Sequence, residues 1–130
     1  MQEIISLKNI DYSYWGKITA LRNINLSVNE GEIFSIIGLN GCGKTTLLHV
    51  INGLIFPDSG DVTFDGKPVT AKSLKDRSFG IEFRQRMGYI FQNPDMQLFC
   101  PTVYDELLFG PLQINLPLET AQERAELTLA

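Results

Sequence analysis

The sequence predicts an α/β fold, and three observations carry that expectation. Glu32-Ile33-Phe34-Ser35-Ile36-Ile37 is a short, nearly continuous apolar run, as expected of a parallel strand covered on both faces. Leu47, Leu48, Ile51 and Leu54 then recur at helical spacing, and Gly53 followed by Pro57 supplies a stop. Between strand and helix lies Gly38-Leu39-Asn40-Gly41-Cys42-Gly43-Lys44-Thr45-Thr46, a glycine-rich turn that fits G-x-x-x-x-G-K-[ST] at every constrained position.

That turn defines a phosphate loop. Gly38, Gly41 and Gly43 let the backbone curl with its N–H groups pointing inward, and the following helix adds the positive end of its dipole. Lys44 is then placed to reach the β- and γ-phosphates of a nucleotide. The Thr45 hydroxyl suits a place in the Mg²⁺ shell, and Thr46 suits the α-phosphate side.

Taken in chain order, Ile10, Tyr12 and Tyr14 alternate with polar residues, as do Ile24, Leu26 and Val28 after the interruption Trp15-Gly16-Lys17. Two half-buried antiparallel strands are expected there. Asn29-Glu30-Gly31 turns the chain toward the strand that precedes the phosphate loop. Beyond the first helix, Pro57-Asp58-Ser59-Gly60 is a turn, Asp61 to Phe64 a short strand, and Asp65-Gly66 a tight-hairpin signal. An antiparallel β layer is thus expected to wrap a parallel α/β core. Ala71 to Arg86 is charged and mixed, and reads as a surface helix or loop. Met87 to Phe91 regains strand character and stops at Gln92-Asn93-Pro94. Thr102 with Asp105 resembles a capping box opening a helix through Leu107 and Leu108, ended by Gly110-Pro111, and a last helix starts near Leu118.

Bulk properties narrow the function. A chain of 130 residues with 44% hydrophobic and 20% charged residues is of single-domain length and can bury a core. A net charge of −4 offers no basic field, so nucleic acid is not an expected partner. No apolar run approaches a membrane span and the N-terminus lacks a secretory pattern, so a cytoplasmic location is expected. Cys42 and Cys100 form neither a disulfide framework nor a metal cluster.

Together these motifs resemble the nucleotide-binding subunit of ATP-binding cassette (ABC) transporters. Ala20 to Glu32 is similar to that family's strand pair before the phosphate loop, Pro57 to Val62 to its next turn, and Tyr89-Ile90-Phe91-Gln92 to its Q-loop. Phe91-Gln92-Asn93-Pro94-Asp95-Met96-Gln97-Leu98-Phe99, with Pro101-Thr102-Val103 and Phe109-Gly110-Pro111, looks more narrowly like the cobalt, nickel and vitamin importers of the energy-coupling-factor type.

The resemblance implies a truncated ABC ATPase architecture. Residues 1–92 form the phosphate-loop α/β core with its β layer, and 93–130 the Q-loop and the start of a helical subdomain. It implies ATP and Mg²⁺ as cofactors, held by Asn40, Gly41, Cys42, Gly43, Lys44, Thr45 and Thr46. It places Tyr14 on adenine, with Trp15 as the alternative ring, and Gln92 near Mg²⁺ and the attacking water. Implied partners are a second ABC ATPase subunit in a head-to-tail dimer and a transmembrane subunit at the cytoplasmic face of the membrane, with Phe99, Tyr104 and Phe109 as anchors or as core.

Cys42 stands where the family commonly has serine, and it reads equally as a thiol whose alkylation blocks nucleotide binding unless MgATP protects it, or as a buried, inert small residue. Gln97 reads equally as a functional contact or a surface residue, and His49 as a helix-face residue rather than the family's switch histidine. The family's Leu-Ser-Gly-Gly-Gln signature and its apolar strand ending in Asp-Glu do not occur in these residues. Gln92 can orient water but cannot take its proton. Two readings follow: the N-terminal part of an ATPase subunit driving import, or a nucleotide-binding module without turnover. An apolar strand lacking neighbours is further expected to promote self-association.

Overall fold

The alternating pattern near the N-terminus builds a four-stranded antiparallel sheet. The computed structural model describes residues 2–130 and divides them between two compact units, the first ending at Met87 and the second running Gly88–Ala130. In the first unit, β1 (Glu3–Tyr14) pairs with β2 (Ile18–Asn29) on one side and with β3 (Ser59–Phe64) on the other, and β4 (Lys67–Pro68) closes the order β2-β1-β3-β4. Both hairpin turns use left-handed backbone. Asp65 and Gly66 lie at φ 50° and 73°, and Trp15 and Gly16 at 52° and 64°, with the Lys17 N–H donating to Tyr14 O at 3.0 Å. The sheet's inner face, Leu7, Ile10, Leu21, Val62 and Phe64, packs with α1 (Lys44–Ile51) and with Phe83 of α2 (Arg77–Arg86).

Several expectations are corrected. Glu32–Ile37 is not a strand: a parallel strand exists only where a neighbour accepts its ladder, and no described residue provides one. Ile33 and Ile37 are accordingly 95% exposed. Met87–Phe91 lacks strand structure for the same reason, so every ladder among the described residues is antiparallel. On α1 the buried stripe is Thr46, Leu47, Val50 and Ile51, whereas Leu48 and Leu54 face outward. Residues at i, i+3 and i+4 share one side of a helix, and Val50 completes that set from Leu47. The charged stretch from Ala71 to Arg86 is more than a solvated face. Asp76 caps α2 by accepting the Phe79 N–H at 2.9 Å, and Phe83 is buried edge-on against Phe64, with ring centroids 5.2 Å apart.

In the second unit, α3 (Val103–Gln113) opens on Thr102, whose Oγ1 accepts the Asp105 N–H at 3.1 Å and donates to Asp105 Oδ2 at 2.6 Å. The helix continues through Pro111 rather than ending at Gly110. Proline removes a donor and its ring crowds the preceding turn, yet the Ile114 and Leu116 N–H groups still bond Gly110 O and Pro111 O. The final helix, α4 (Leu118–Leu129), buries Ala121 and Ala125.

Ahead of α3, Glu106 Oε2 accepts the Cys100 N–H at 2.7 Å and the Phe99 N–H at 3.2 Å. The bond from Cys100 holds the Glu106 carboxyl below its ordinary value, while burial, then Glu106 itself, pushes the Cys100 thiol up. A carboxyl lowered by folding stabilises the fold above its unfolded pKa and loses that contribution as pH falls through the folded value. Acid titration followed by amide NMR should therefore show the Phe99 and Cys100 resonances moving together below the ordinary glutamate range. Glu106→Gln should remove that transition.

Candidate phosphate-loop site

The segment after β2 enters the loop through Gly38 and leaves it through Gly43, which caps α1 in left-handed backbone at φ 94°. A Cβ at Gly43 would lie 2.5 Å from the Ala20 carbonyl oxygen, so this position needs glycine for conformation and for space. Gly38 is less constrained: a Cβ there would sit 2.6 Å from Cys42 Sγ, the end of an exposed side chain that can turn away. Gly41, at φ 82°, completes the curl. The Cys42 N–H donates back to Leu39 O at 3.3 Å, and the Leu47 N–H to Gly43 O at 2.8 Å.

The loop's electrostatics favour an anion. The first N–H groups of a helix have no intrahelical acceptor. Here the cap residue has no side chain to take them, and the first turn of α1 carries no acidic residue. Lys44 folds into the loop, its Nζ donating to Gly38 O and Leu39 O, each at 2.7 Å, with Cys42 Sγ at 3.7 Å. Asn40, Cys42 and Thr45 are exposed around it. Among the described residues no three His, Cys, Asp or Glu side chains gather into a metal-binding group. A hard cation at this loop would instead meet hydroxyl and phosphate oxygen, a donor set that fits Mg²⁺.

Tyr14 stands at the end of β1 and reaches the same helix. Its phenol oxygen lies 2.9 Å from Thr46 Oγ1, while its neighbour Trp15 is 83% exposed at the hairpin tip. Two aspartates fix this strand end. Asp58 Oδ2 accepts the Ser13 N–H at 2.7 Å, and Asp11 accepts from the Asn23 N–H and the Ser59 hydroxyl, bonds that hold its carboxyl below the ordinary value.

The first unit therefore brings Tyr14, Gly41, Gly43, Lys44 and Thr46 around one helix start. Gln92 lies exposed in the second unit. Gln97 is half-buried: its Oε1 accepts the Phe91 N–H at 3.2 Å and its Nε2 donates to Tyr89 O at 3.1 Å, bracing the chain just before Gln92. His49 is half-buried in the last turn of α1. Sequence reasoning missed the Ala20 carbonyl beside Gly43, the Tyr14–Thr46 bond and the Asp11 and Asp58 anchors. Each joins residues 12 or more positions apart, and no periodic pattern records such pairs.

This constellation is a glycine-rich loop opening a helix, with a lysine folded into it and a tyrosine bonded to its first turn. The family model for ABC transporters matches residues 21–129, and the chain belongs to that family. It is 40% identical over 130 residues to the nickel import ATP-binding protein NikO of Rhodobacter capsulatus, covering all of this chain and 51% of that protein. It is 44% identical over 121 residues to the energy-coupling factor transporter ATP-binding protein EcfA of Methanothermobacter thermautotrophicus, covering 93% of this chain and 38% of the relative. Among solved structures, cbiO1 from Clostridium perfringens, part of the ABC transporter complex cbiONQ, superimposes with a TM-score of 0.79 at 34% identity, covering 99% of this chain and 50% of that one. The chain spans about half the length of the curated relatives it matches.

Proposed function

We propose that the chain provides the ATP-binding front part of an ATPase subunit that powers an ABC importer of the energy-coupling-factor type, with a cobalt ion, a nickel ion or a vitamin as cargo. The observation that carries the reading is the loop itself: left-handed glycines, an uncapped helix start and the Lys44 ammonium within it. The names of the nickel-import and energy-coupling-factor relatives support the cargo class.

In this reading the N–H groups of Gly41, Cys42 and Gly43 and the side chain of Asn40 cradle the phosphates. Lys44 neutralises the β- and γ-phosphates, Thr46 serves the α-phosphate, and the Tyr14 ring meets adenine. Thr45 would hold Mg²⁺, which would offset phosphate charge, and Gln92 is the residue that the family resemblance assigns to Mg²⁺ and to orienting the attacking water. A second cassette pairs head to tail with this one at the cytoplasmic face of the membrane. Phe99 and Phe109, an exposed edge-on pair with centroids 4.7 Å apart, together with Tyr104, meet the transmembrane subunit.

Calorimetric titration with ATP, GTP and inorganic triphosphate, with and without Mg²⁺, tests the nucleotide reading. Saturable binding of ATP, tighter than triphosphate and strengthened by Mg²⁺, is the expected result. No binding of either polyphosphate would overturn it.

A further inference from the structure

The bond between Tyr14 and Thr46 joins the two ends of the nucleotide site through a single proton. The oxygens are 2.9 Å apart in a partly buried setting, and Thr46 is 6% exposed. Tyr14 has little freedom to leave this position. Its ring meets the edge of Tyr12 at 5.0 Å and 88°, and its strand end is held by the bond from the Ser13 N–H to Asp58. A phenol is the stronger acid of the two hydroxyls, so Tyr14 is the favoured donor and Thr46 the acceptor. Thr46 then keeps its own proton for a second acceptor. It occupies the first turn of α1, among N–H groups without intrahelical acceptors, where the second acceptor best suited is an anionic oxygen.

We infer that Tyr14 is a positioning residue for the phosphate chain as well as a ring for the base: its phenol, donating to Thr46 Oγ1, presets the Thr46 hydroxyl as a donor to a phosphate oxygen. The inference rests on the phosphate-binding reading above and adds a role for the Tyr14 hydroxyl that ring stacking does not require. It also separates the two parts of the side chain. The ring contributes to affinity only when a base is present, whereas the hydroxyl contributes to any polyphosphate.

The test compares ATP with inorganic triphosphate on the full chain carrying Tyr14→Phe, Tyr14→Ala, Thr46→Val, and Tyr14→Phe with Thr46→Val. Tyr14→Phe should weaken both ligands by the same factor, roughly fivefold, as expected of one hydrogen bond acting through a charged acceptor. Tyr14→Ala should carry that loss and additionally reduce the preference for ATP over triphosphate. Adding Tyr14→Phe to Thr46→Val should cost nothing further, because the phenol acts only through that hydroxyl.

A Tyr14→Phe protein that binds triphosphate as the unmodified protein does would overturn the inference, as would additive losses in the double variant. Thermal unfolding of each variant distinguishes a general loosening, which lowers the midpoint and makes the losses additive. If the unmodified protein binds neither ligand, the phosphate-loop reading fails and this inference with it. If it binds both and Tyr14→Phe changes neither, only this inference fails.

Discussion

Lys44→Ala is expected to weaken ATP binding roughly a hundredfold while leaving the fold intact, because it removes charge-assisted bonds to phosphate worth about 3 kcal/mol together. The structure explains why stability should be spared. Lys44 Nζ bonds Gly38 O and Leu39 O, both on exposed residues, so water can take the place of the ammonium. Titration calorimetry and urea unfolding on the same variant separate the two quantities. An unchanged affinity would remove Lys44 from the site, and a large fall in the urea midpoint would make it a structural residue.

Phe83→Ala is expected to cost about 3–5 kcal/mol of stability from lost apolar contact and an unfilled cavity. Phe83 is 3% exposed and meets Phe64 edge-on at 5.2 Å and Phe79 at 6.1 Å, tying α2 to the sheet. Phe64 is further covered by Arg86, whose guanidinium lies 4.8 Å from its ring centroid and bonds Asp65 Oδ2 at 2.8 Å. Phe79→Ala should cost distinctly less, since Phe79 is only partly buried. Urea unfolding of the two variants should rank them in that order. The phosphate loop depends on the same core through Leu47, Val50 and Ile51, so Phe83→Ala should also weaken ATP binding at moderate urea.

What the sequence made legible was local chemistry. The glycine spacing located the loop, Asp65-Gly66 the hairpin, and Thr102 with Asp105 the start of α3, because each is governed by backbone conformation or by a bond across three residues. What it hid depends on distant partners. The run Glu32–Ile37 has strand composition, yet strand structure needs a neighbouring ladder that no described residue offers. Phe79 and Phe83 sit four residues apart among charges, and only the sheet beneath them shows that they are core. The Tyr14 ring was legible as a candidate for a base, but its hydroxyl bond to Thr46, 32 positions away, belongs to the way β1 passes the start of α1. Gln97, open to two readings in sequence, is fixed by its pair of bonds to the main chain of Tyr89 and Phe91.

The central claim, that this loop holds the phosphates of ATP, is tested most directly by amide NMR during titration with MgATP. The largest shifts are expected at the N–H groups of Gly41, Cys42, Gly43, Lys44 and Thr45, with the same groups responding to inorganic triphosphate. Saturable binding that left these five resonances unmoved and shifted others instead would contradict the claim.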